Sequence, residues 1–194
     1  MKKLLSITLT SVIALLLLSC GEIGEKKSEE MDVSDFKTEK VEGMYEVSVP
    51  KYMKEAFDLN DDASLQFQNI YKETYLAIID ESKADFIEVF KELNEYDDGL
   101  SVAGNYRNIQ MQYFTEGIRI DKRSEPRKLT INGLEAEQVE FNGRVPEVDY
   151  DIYYLMTFIE GEENVYMMME WTLASFEDKF KGTFKQMAET FREI

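Results

Sequence analysis

The sequence contains no histidine and a single cysteine, Cys20, among its 194 residues. Without histidine the chain cannot form a Ser-His-Asp triad, a Cys-His pair or a histidine-ligated zinc or haem site. One cysteine can neither close an internal disulfide nor build a four-cysteine metal site. The composition therefore excludes metal centres that need histidine or several cysteines, and it excludes catalysis by a thiol–imidazole pair. No cofactor is predicted.

Basic residues are also scarce, since 22 Lys and Arg stand against 39 Asp and Glu and give a formal charge of −17. A protein that binds nucleic acid needs a basic surface to neutralise phosphates, so this charge argues against that class. The sequence also has no glycine-rich loop of the kind that cradles nucleotide phosphates. The length suits one domain with an appendage.

The N-terminus has the layout of a secretory signal peptide. Lys2 and Lys3 form a positive segment, and residues 6–18 are an apolar stretch without Asp, Glu, Lys or Arg. A membrane-spanning helix needs about 20 apolar residues, and this stretch is shorter. We expect residues 1–19 to be a removed signal peptide, with an uncleaved N-terminal anchor as the alternative.

The apolar stretch ends in Leu17-Leu18-Ser19-Cys20, which resembles the lipobox of bacterial lipoproteins. Leu17 and Ser19 fit that motif, whereas Leu18 is bulkier than the small residue usually found there. The resemblance implies cleavage before Cys20, a diacylglycerol thioether on Cys20 and acylation, for example by palmitate, of the new amino terminus. Two or more acyl chains anchor a protein stably, so a membrane is the expected partner of Cys20.

The residues after Cys20 resemble sorting signals. Gly21 stands where an Asp would favour retention in the inner membrane of enterobacteria, so the outer membrane is favoured. Glu22 and Glu25 weakly resemble the acidic tag of surface-exposed lipoproteins in Bacteroidota. We therefore expect a lipid-anchored protein of the cell envelope, on the periplasmic side or at the cell surface.

Residues 20–40 are highly charged and contain few apolar side chains, a composition that does not offset the entropy of ordering. They are predicted to be a flexible tether with a reach of roughly 25 Å. The alternative, an amphipathic helix on the membrane, is disfavoured by the net negative charge of the segment.

Residues 41–194 are predicted to form the folded domain, because strand and helix periodicities follow one another there. Asn132-Gly133 and Asn142-Gly143 are hairpin signals, which predicts a mostly antiparallel sheet. Helices from the middle and the end of the chain would cover both faces of that sheet, giving an α+β domain with an α/β/α sandwich. The predicted order is three strands (Tyr45–Pro50, Leu65–Tyr71, Thr74–Asp80), two helices (from Ser82, and Leu100–Glu116), four strands (Arg127–Ile131, Glu135–Phe141, Val148–Ile159, Val165–Leu173) and a helix capped by Ser175.

This order resembles the PsbP-like fold, which an extrinsic photosystem II protein, a Ran-binding nuclear-import factor and several bacterial lipoproteins share. The resemblance implies a binding or assembly module, because the family has no common catalytic residues. The segments that carry it are Tyr45–Pro50, the turn Asn132-Gly133-Leu134-Glu135-Ala136, the strands Tyr150–Phe158 and Val165–Leu173, and Ser175-Phe176.

One basic cluster interrupts the acidic sequence and could dock an anionic envelope partner. The alternative is an exposed loop before an edge strand, where basic residues discourage aggregation. The five residues of this basic cluster are Arg119, Lys122, Arg123, Arg127 and Lys128.

Asp149 and Asp151 are expected on one face of a strand, where paired carboxylates could do acid–base chemistry. Asp58-Leu59-Asn60-Asp61-Asp62 begins like a calcium loop, but Ala63 and Asn69 replace the Gly and Glu that such a loop requires. The sequence therefore favours a lipid-anchored envelope lipoprotein with a non-catalytic binding or assembly domain. The alternative function is a histidine-free, carboxylate-based hydrolase or a small-ligand-binding protein.

Overall fold

The computed structural model describes residues 28–146 and 148–194. The predicted signal peptide and Cys20 lie outside the described residues. Within them, eleven strands and three helices follow one another, with short 3₁₀ turns at Val33–Asp35 and Ala174–Phe176. The elements are β1 (Phe36–Val41), β2 (Tyr45–Pro50), β3 (Lys54–Glu55), β4 (Ala63–Asn69), β5 (Thr74–Ser82), α1 (Lys83–Glu92), α2 (Val102–Thr115), β6 (Arg119–Arg123), β7 (Arg127–Ile131), β8 (Leu134–Arg144), β9 (Ile152–Glu160), β10 (Asn164–Leu173), α3 (Glu177–Glu189) and β11 (Arg192–Glu193).

Eight strands form the main sheet, in the order β3-β4-β5-β10-β9-β8-β6, with β7 also paired to β8. All of these pairings are antiparallel. A second, smaller sheet has the order β1-β2-β11.

The main sheet is covered on both faces, as the alternation along β10 shows. Met167 and Met169 belong to an apolar cluster with residues of α1 and α2, whereas Tyr166 and Met168 belong to a cluster with α3 and the small sheet. Because successive strand residues point to opposite faces, β10 separates two apolar cores. The predicted α+β sandwich with a mostly antiparallel sheet is confirmed.

One of the two predicted Asn-Gly hairpins is present. Asn132 and Gly133 have φ values of 47° and 94° and join β7 to β8. Asn142-Gly143 does not turn, because β8 continues through it to Arg144. A side chain at Gly143 would lie 2.7 Å from the Ile118 side chain, so this glycine permits close packing of the segment before β6.

The N-terminal segment differs most from the sequence-based expectation. The sequence predicts a tether that ends at residue 40. In the structure, β1 begins at Phe36 within that segment, and all of β1 pairs with β2. Glu29 is tied to the domain by the Tyr52 hydroxyl at 2.9 Å and by an ion pair with Lys72. The folded domain therefore includes residues 28–40, because pairing with distant residues orders a segment whose own composition is too polar to predict order.

Helix starts follow the sequence signals in part. Ser82 caps α1 by accepting a hydrogen bond from the Asp85 backbone amide, as predicted. Ser175 lies in a 3₁₀ turn, and α3 begins at Glu177 with Phe176 at the N-cap position. Residues 51–59 form turns and the short β3.

Candidate functional site

The five residues of the basic cluster lie along one edge of the main sheet. Both β6 and β7 pair with the same side of β8, β7 with residues 134–138 and β6 with residues 141–144. Together they form the outer edge of the sheet. The segment that the sequence left open as a loop is thus largely strand, and the structure brings the five side chains onto this one edge.

The register divides the basic cluster between the two faces of the sheet. Lys122 lies opposite Asn142 and Arg127 opposite Gln138, on the face that α3 covers, while Lys128 lies opposite Glu137 on the α2 face. Residues directly opposite each other in a sheet share a face. The cluster is therefore a basic edge rather than a flat patch.

Four of the five basic side chains have partners. Arg119 binds Asp121 at 3.0 Å, and the Arg127 guanidinium donates to the Gln138 side-chain oxygen at 2.7 Å. Lys122 and Lys128 lie 3.8 and 3.9 Å from the carboxylates of Glu177 and Glu137. Arg123 has no hydrogen bond or ion pair to any described residue, so its charge is available to a partner.

A groove of about 200 Å³ lies between β6 and α3. We call it the β6–α3 groove, and it is lined on one side by Lys122 and Arg123 and on the other by Glu177 and Lys181. Its floor includes Glu140 and Tyr153.

Glu140 is held in the groove by two lysines of α3. Lys181 and Lys185 both pair with its carboxylate, the latter at 2.7 Å. Burial alone would raise the pKa of Glu140, but the hydrogen bonds from the two lysines outweigh burial and lower that pKa below its usual value. Glu140 is therefore ionised at neutral pH, and it neutralises part of the positive charge beside it.

Tyr153 presents a protonated hydroxyl to the same groove. The residue is 1% exposed, and its hydroxyl lies near Glu140 but makes no hydrogen bond of good geometry to any described residue. Burial raises the pKa of Tyr153 far above its ordinary value. The hydroxyl is therefore enclosed beside the Glu140 carboxylate in the floor of the groove.

The groove is a cationic site on an acidic protein. Three cations, Lys122, Lys181 and Lys185, face the two carboxylates of Glu140 and Glu177, which leaves a local excess of positive charge. Arg123 also lines the groove, but it lies opposite Phe141 and so belongs to the α2 face by register. The sequence analysis missed Lys181 and Lys185. Their spacing of four residues, with Glu177 four residues earlier, places all three on one helix face, which was the available signal.

The α2 side of the edge is already neutralised. Glu137 is 3% exposed and accepts a hydrogen bond from the Arg107 guanidinium of α2 at 2.7 Å. It also faces Lys128 across a pocket of about 310 Å³. Glu137 therefore balances part of the positive charge of Arg107 and Lys128 on the α2 side.

The predicted carboxylate pair lies in the segment before β9. Asp149 and Asp151 precede β9 instead of lying on it, so the shared strand face is wrong. Asp151 accepts a hydrogen bond from the Arg144 guanidinium at 2.7 Å, which lowers the pKa of Asp151. A general acid needs a raised pKa, and Asp151 has the opposite.

The described residues contain neither a group of metal ligands nor a membrane-spanning helix. Within residues 28–146 and 148–194, no three His, Cys, Asp or Glu side chains are grouped so that they could hold a metal ion. In the same part of the chain, no helix is long and apolar enough to cross a bilayer.

Comparison with solved structures identifies the fold. The solution structure of the cyanobacterial PsbP protein CyanoP from Synechocystis sp. PCC 6803 superposes with a TM-score of 0.52 at 15% identity, covering 92% of this chain and 99% of that one. The chain has a PsbP-like fold. This result confirms the fold that the sequence resemblance implied, and at this identity it concerns the fold alone.

A second solved structure is PA94 from Pseudomonas aeruginosa, a protein of unknown function. It matches with a TM-score of 0.44 at 14% identity, over 80% of this chain and 94% of that one, and the fold assignment rests on CyanoP. No protein-family model matches the chain, and a comparison with curated proteins finds no match.

Proposed function

We propose that the protein is a lipid-anchored lipoprotein of the bacterial cell envelope whose PsbP-like domain is a non-catalytic binding module. The observation that carries the binding role is the basic edge with the β6–α3 groove. On a chain of formal charge −17, this edge brings together an unpaired Arg123, the lysines of α3 and the buried hydroxyl of Tyr153.

The chemistry of the edge selects an acidic partner. A segment rich in Asp and Glu would meet the exposed cations Arg123 and Lys122 on β6. The outer side of β6 ends the main sheet among the described residues, so an extended segment can add to it as a further strand. Strand addition supplies affinity through main-chain hydrogen bonds, while side-chain pockets supply specificity.

The non-catalytic role is supported by the missing acid–base groups. The chain has no histidine, and its only cysteine lies in the lipobox-like motif. Arg144 holds Asp151 in the ionised state. Asp149 and Asp151, two of the carboxylates that a histidine-free hydrolase could use, do not share a strand face, which favours the binding module.

The first prediction concerns the anchor. The variant Cys20→Ala is expected to lose lipid labelling and to move from the membrane fraction to the soluble fraction, because no thiol remains for the thioether. Labelling with an alkyne fatty acid and fractionation of the cells measure both. Ser19→Ala keeps a small residue before the cysteine and serves as the control. Lipid labelling that persists in Cys20→Ala would contradict the anchor.

The second prediction concerns the basic edge. A photo-cross-linking residue at Ser124, beside the groove, is expected to capture an envelope protein that mass spectrometry can identify. Purified Arg123→Glu should then bind that partner on the order of tenfold more weakly, mainly through a slower association that salt weakens further.

Lys54→Glu is the matched control for Arg123→Glu. Lys54 is an exposed cation on β3, at the opposite edge of the same sheet, and it has no ion pair to a described residue. Equal affinity of the Arg123→Glu and Lys54→Glu proteins would exclude the basic edge as the binding surface, and it would leave the lipid anchor untouched.

A further inference from the structure

The end of the sheet near Ser28 carries a group of exposed apolar side chains. Val33, Ile70, Tyr71 and Tyr150 are 85%, 56%, 92% and 54% exposed. We call this group the exit surface, because the chain leaves the described domain there towards its N-terminus.

Hydrogen bonds hold three of the loops of the exit surface together. The Lys51 ammonium donates to the Ser34 carbonyl at 2.6 Å, and the Asn69 side-chain amide donates to the Tyr52 carbonyl at 2.7 Å. These contacts join the loop of Val33 to the turn that carries Ile70 and Tyr71. The exit surface is therefore a fixed arrangement on the folded domain.

The strand register places the exit surface at one end of the main sheet. Trp171 near the end of β10 lies opposite Tyr75, which directly follows the turn of Ile70 and Tyr71. Asn164 at the start of β10 lies opposite Ser82, so the β9–β10 turn is at the other end. With a rise of about 3.3 Å per residue, the two ends lie about 30 Å apart.

The proposed lipid anchor is only a short chain length from this end. Seven residues, Gly21–Lys27, separate Cys20 from Ser28, which allows a reach of at most about 28 Å when fully extended and roughly 16 Å as a flexible chain. A domain held at that distance turns the end that carries Ser28 towards the lipid.

We propose that the exit surface contacts the lipid bilayer to which Cys20 is attached, an inference that rests on the proposed lipid anchor. Tyrosine is favoured at membrane interfaces because its ring is apolar and its hydroxyl is polar. The opposite end carries Glu160, Glu162 and Glu163 around the β9–β10 turn, and these carboxylates favour water.

The charges near the exit surface define the kind of lipid. Lys51 and Lys72 stand beside Glu29, Glu30 and Asp32 in the same loops, so the region has no excess of positive charge. Anionic lipids would add no attraction. The contact is therefore apolar, and a zwitterionic bilayer is the appropriate probe.

Single labels on the lipidated protein test this orientation. Since the thioether occupies Cys20, the variant Tyr71→Cys carries one free thiol, as does the control Glu163→Cys at the opposite end. Each is labelled with a fluorophore and reconstituted into phosphatidylcholine vesicles containing a brominated lipid quencher. We expect loss of fluorescence at position 71 and no loss at position 163; equal quenching at both positions would overturn the orientation.

A second variant separates apolar contact from the geometry of the short linker. Adding Val33→Asp and Ile70→Asp to the labelled Tyr71→Cys protein should restore its fluorescence, because both side chains are exposed and their replacement leaves the core unchanged. Quenching that persists would show that the linker alone sets the distance and would overturn the lipid contact. Flotation of the vesicles tests the anchor separately. Protein that does not float contradicts both the lipid anchor and this inference. Protein that floats but is quenched equally at positions 71 and 163 contradicts only the inference.

Discussion

Glu170 in β10 is a buried carboxyl group without a partner. It is 0% exposed, and neither of its oxygens has a hydrogen bond to a described residue. Its cross-strand neighbours are Leu76 and Leu155. Burial among apolar side chains disfavours the charged form and raises the pKa of Glu170 well above its ordinary value. The carboxyl group is therefore protonated in the folded protein at pH values where the unfolded chain has lost that proton.

The third prediction follows from this difference in pKa. Because the folded state keeps a proton that the unfolded state loses, Glu170 makes the free energy of unfolding fall as pH rises above the unfolded pKa of Glu, by up to about 1.4 kcal/mol per pH unit. Glu170→Gln should remove this slope, so the variant is more stable than the wild type at neutral pH and similar to it near pH 4.

Urea unfolding at several pH values measures the slope. Glu88→Gln on the exposed side of α1 is the control, because it removes a carboxyl group without changing the core. If the wild type and Glu170→Gln keep a constant difference in stability across the pH range, the raised pKa is refuted.

At the scale of elements, edge strands were the hardest to predict. Only Phe36 of β1 is buried, and β6 has no buried residue among its five. Such strands have too few apolar side chains to show a period of two, so their existence depends on pairing with β2 and β8. Central strands such as β10 were predicted nearly to the residue, because burial on both faces requires a long apolar run.

The short strand β11 and the end of α3 illustrate the same dependence. Phe191 continues the helical spacing of Phe184 and Met187 in the sequence, but α3 ends at Glu189 and Phe191 is buried just beyond it. Its ring stacks on Tyr45 of β2 at 5.0 Å between centroids. The sequence shows that Phe191 is suited to the core. Whether Phe191 lies in α3 or just after it depends on the position of the small sheet.

The fourth prediction concerns the N-terminal segment that joins the domain. Its anchor is Glu29, whose carboxylate accepts hydrogen bonds from the hydroxyls of Tyr52 and Thr183 at 2.9 and 3.2 Å and pairs with Lys72. Glu29→Ala leaves these groups without their acceptor and should lower the free energy of unfolding by about 1–3 kcal/mol. Faster hydrogen exchange in residues 28–41 should accompany the loss.

Glu30→Ala is the matched control, since Glu30 is the exposed neighbour and makes no hydrogen bond or ion pair to a described residue. Both substitutions remove one negative charge from adjacent positions. The same stability for the two variants would show that the segment is not held by the Glu29 contacts.

At the scale of the whole molecule, the basic edge, the exit surface and an acidic turn occupy different parts of the main sheet. The basic edge lies along the β6 and β7 side of the main sheet, the exit surface lies at the end where Ser28 leaves the domain, and acidic residues surround the β9–β10 turn at the other end. A domain that contacts lipid through its exit surface keeps the long edge of its sheet free. The proposed lipid contact and the proposed acidic partner are thus compatible on one molecule.

The sequence by itself determined the classes of chemistry that are closed to this chain, the lipobox-like motif, the strongly periodic central elements and the fold class. These follow from composition and from local periodicity, which act over a few neighbouring residues. Only the tertiary structure decided that the folded domain includes residues 28–40. It also decided that the lysines of α3 lie across a groove from β6, and that Arg144 pairs with Asp151. Each of these depends on pairing between residues far apart in the chain, and the free energy that orders such contacts comes from burial and hydrogen bonds that no local segment makes alone.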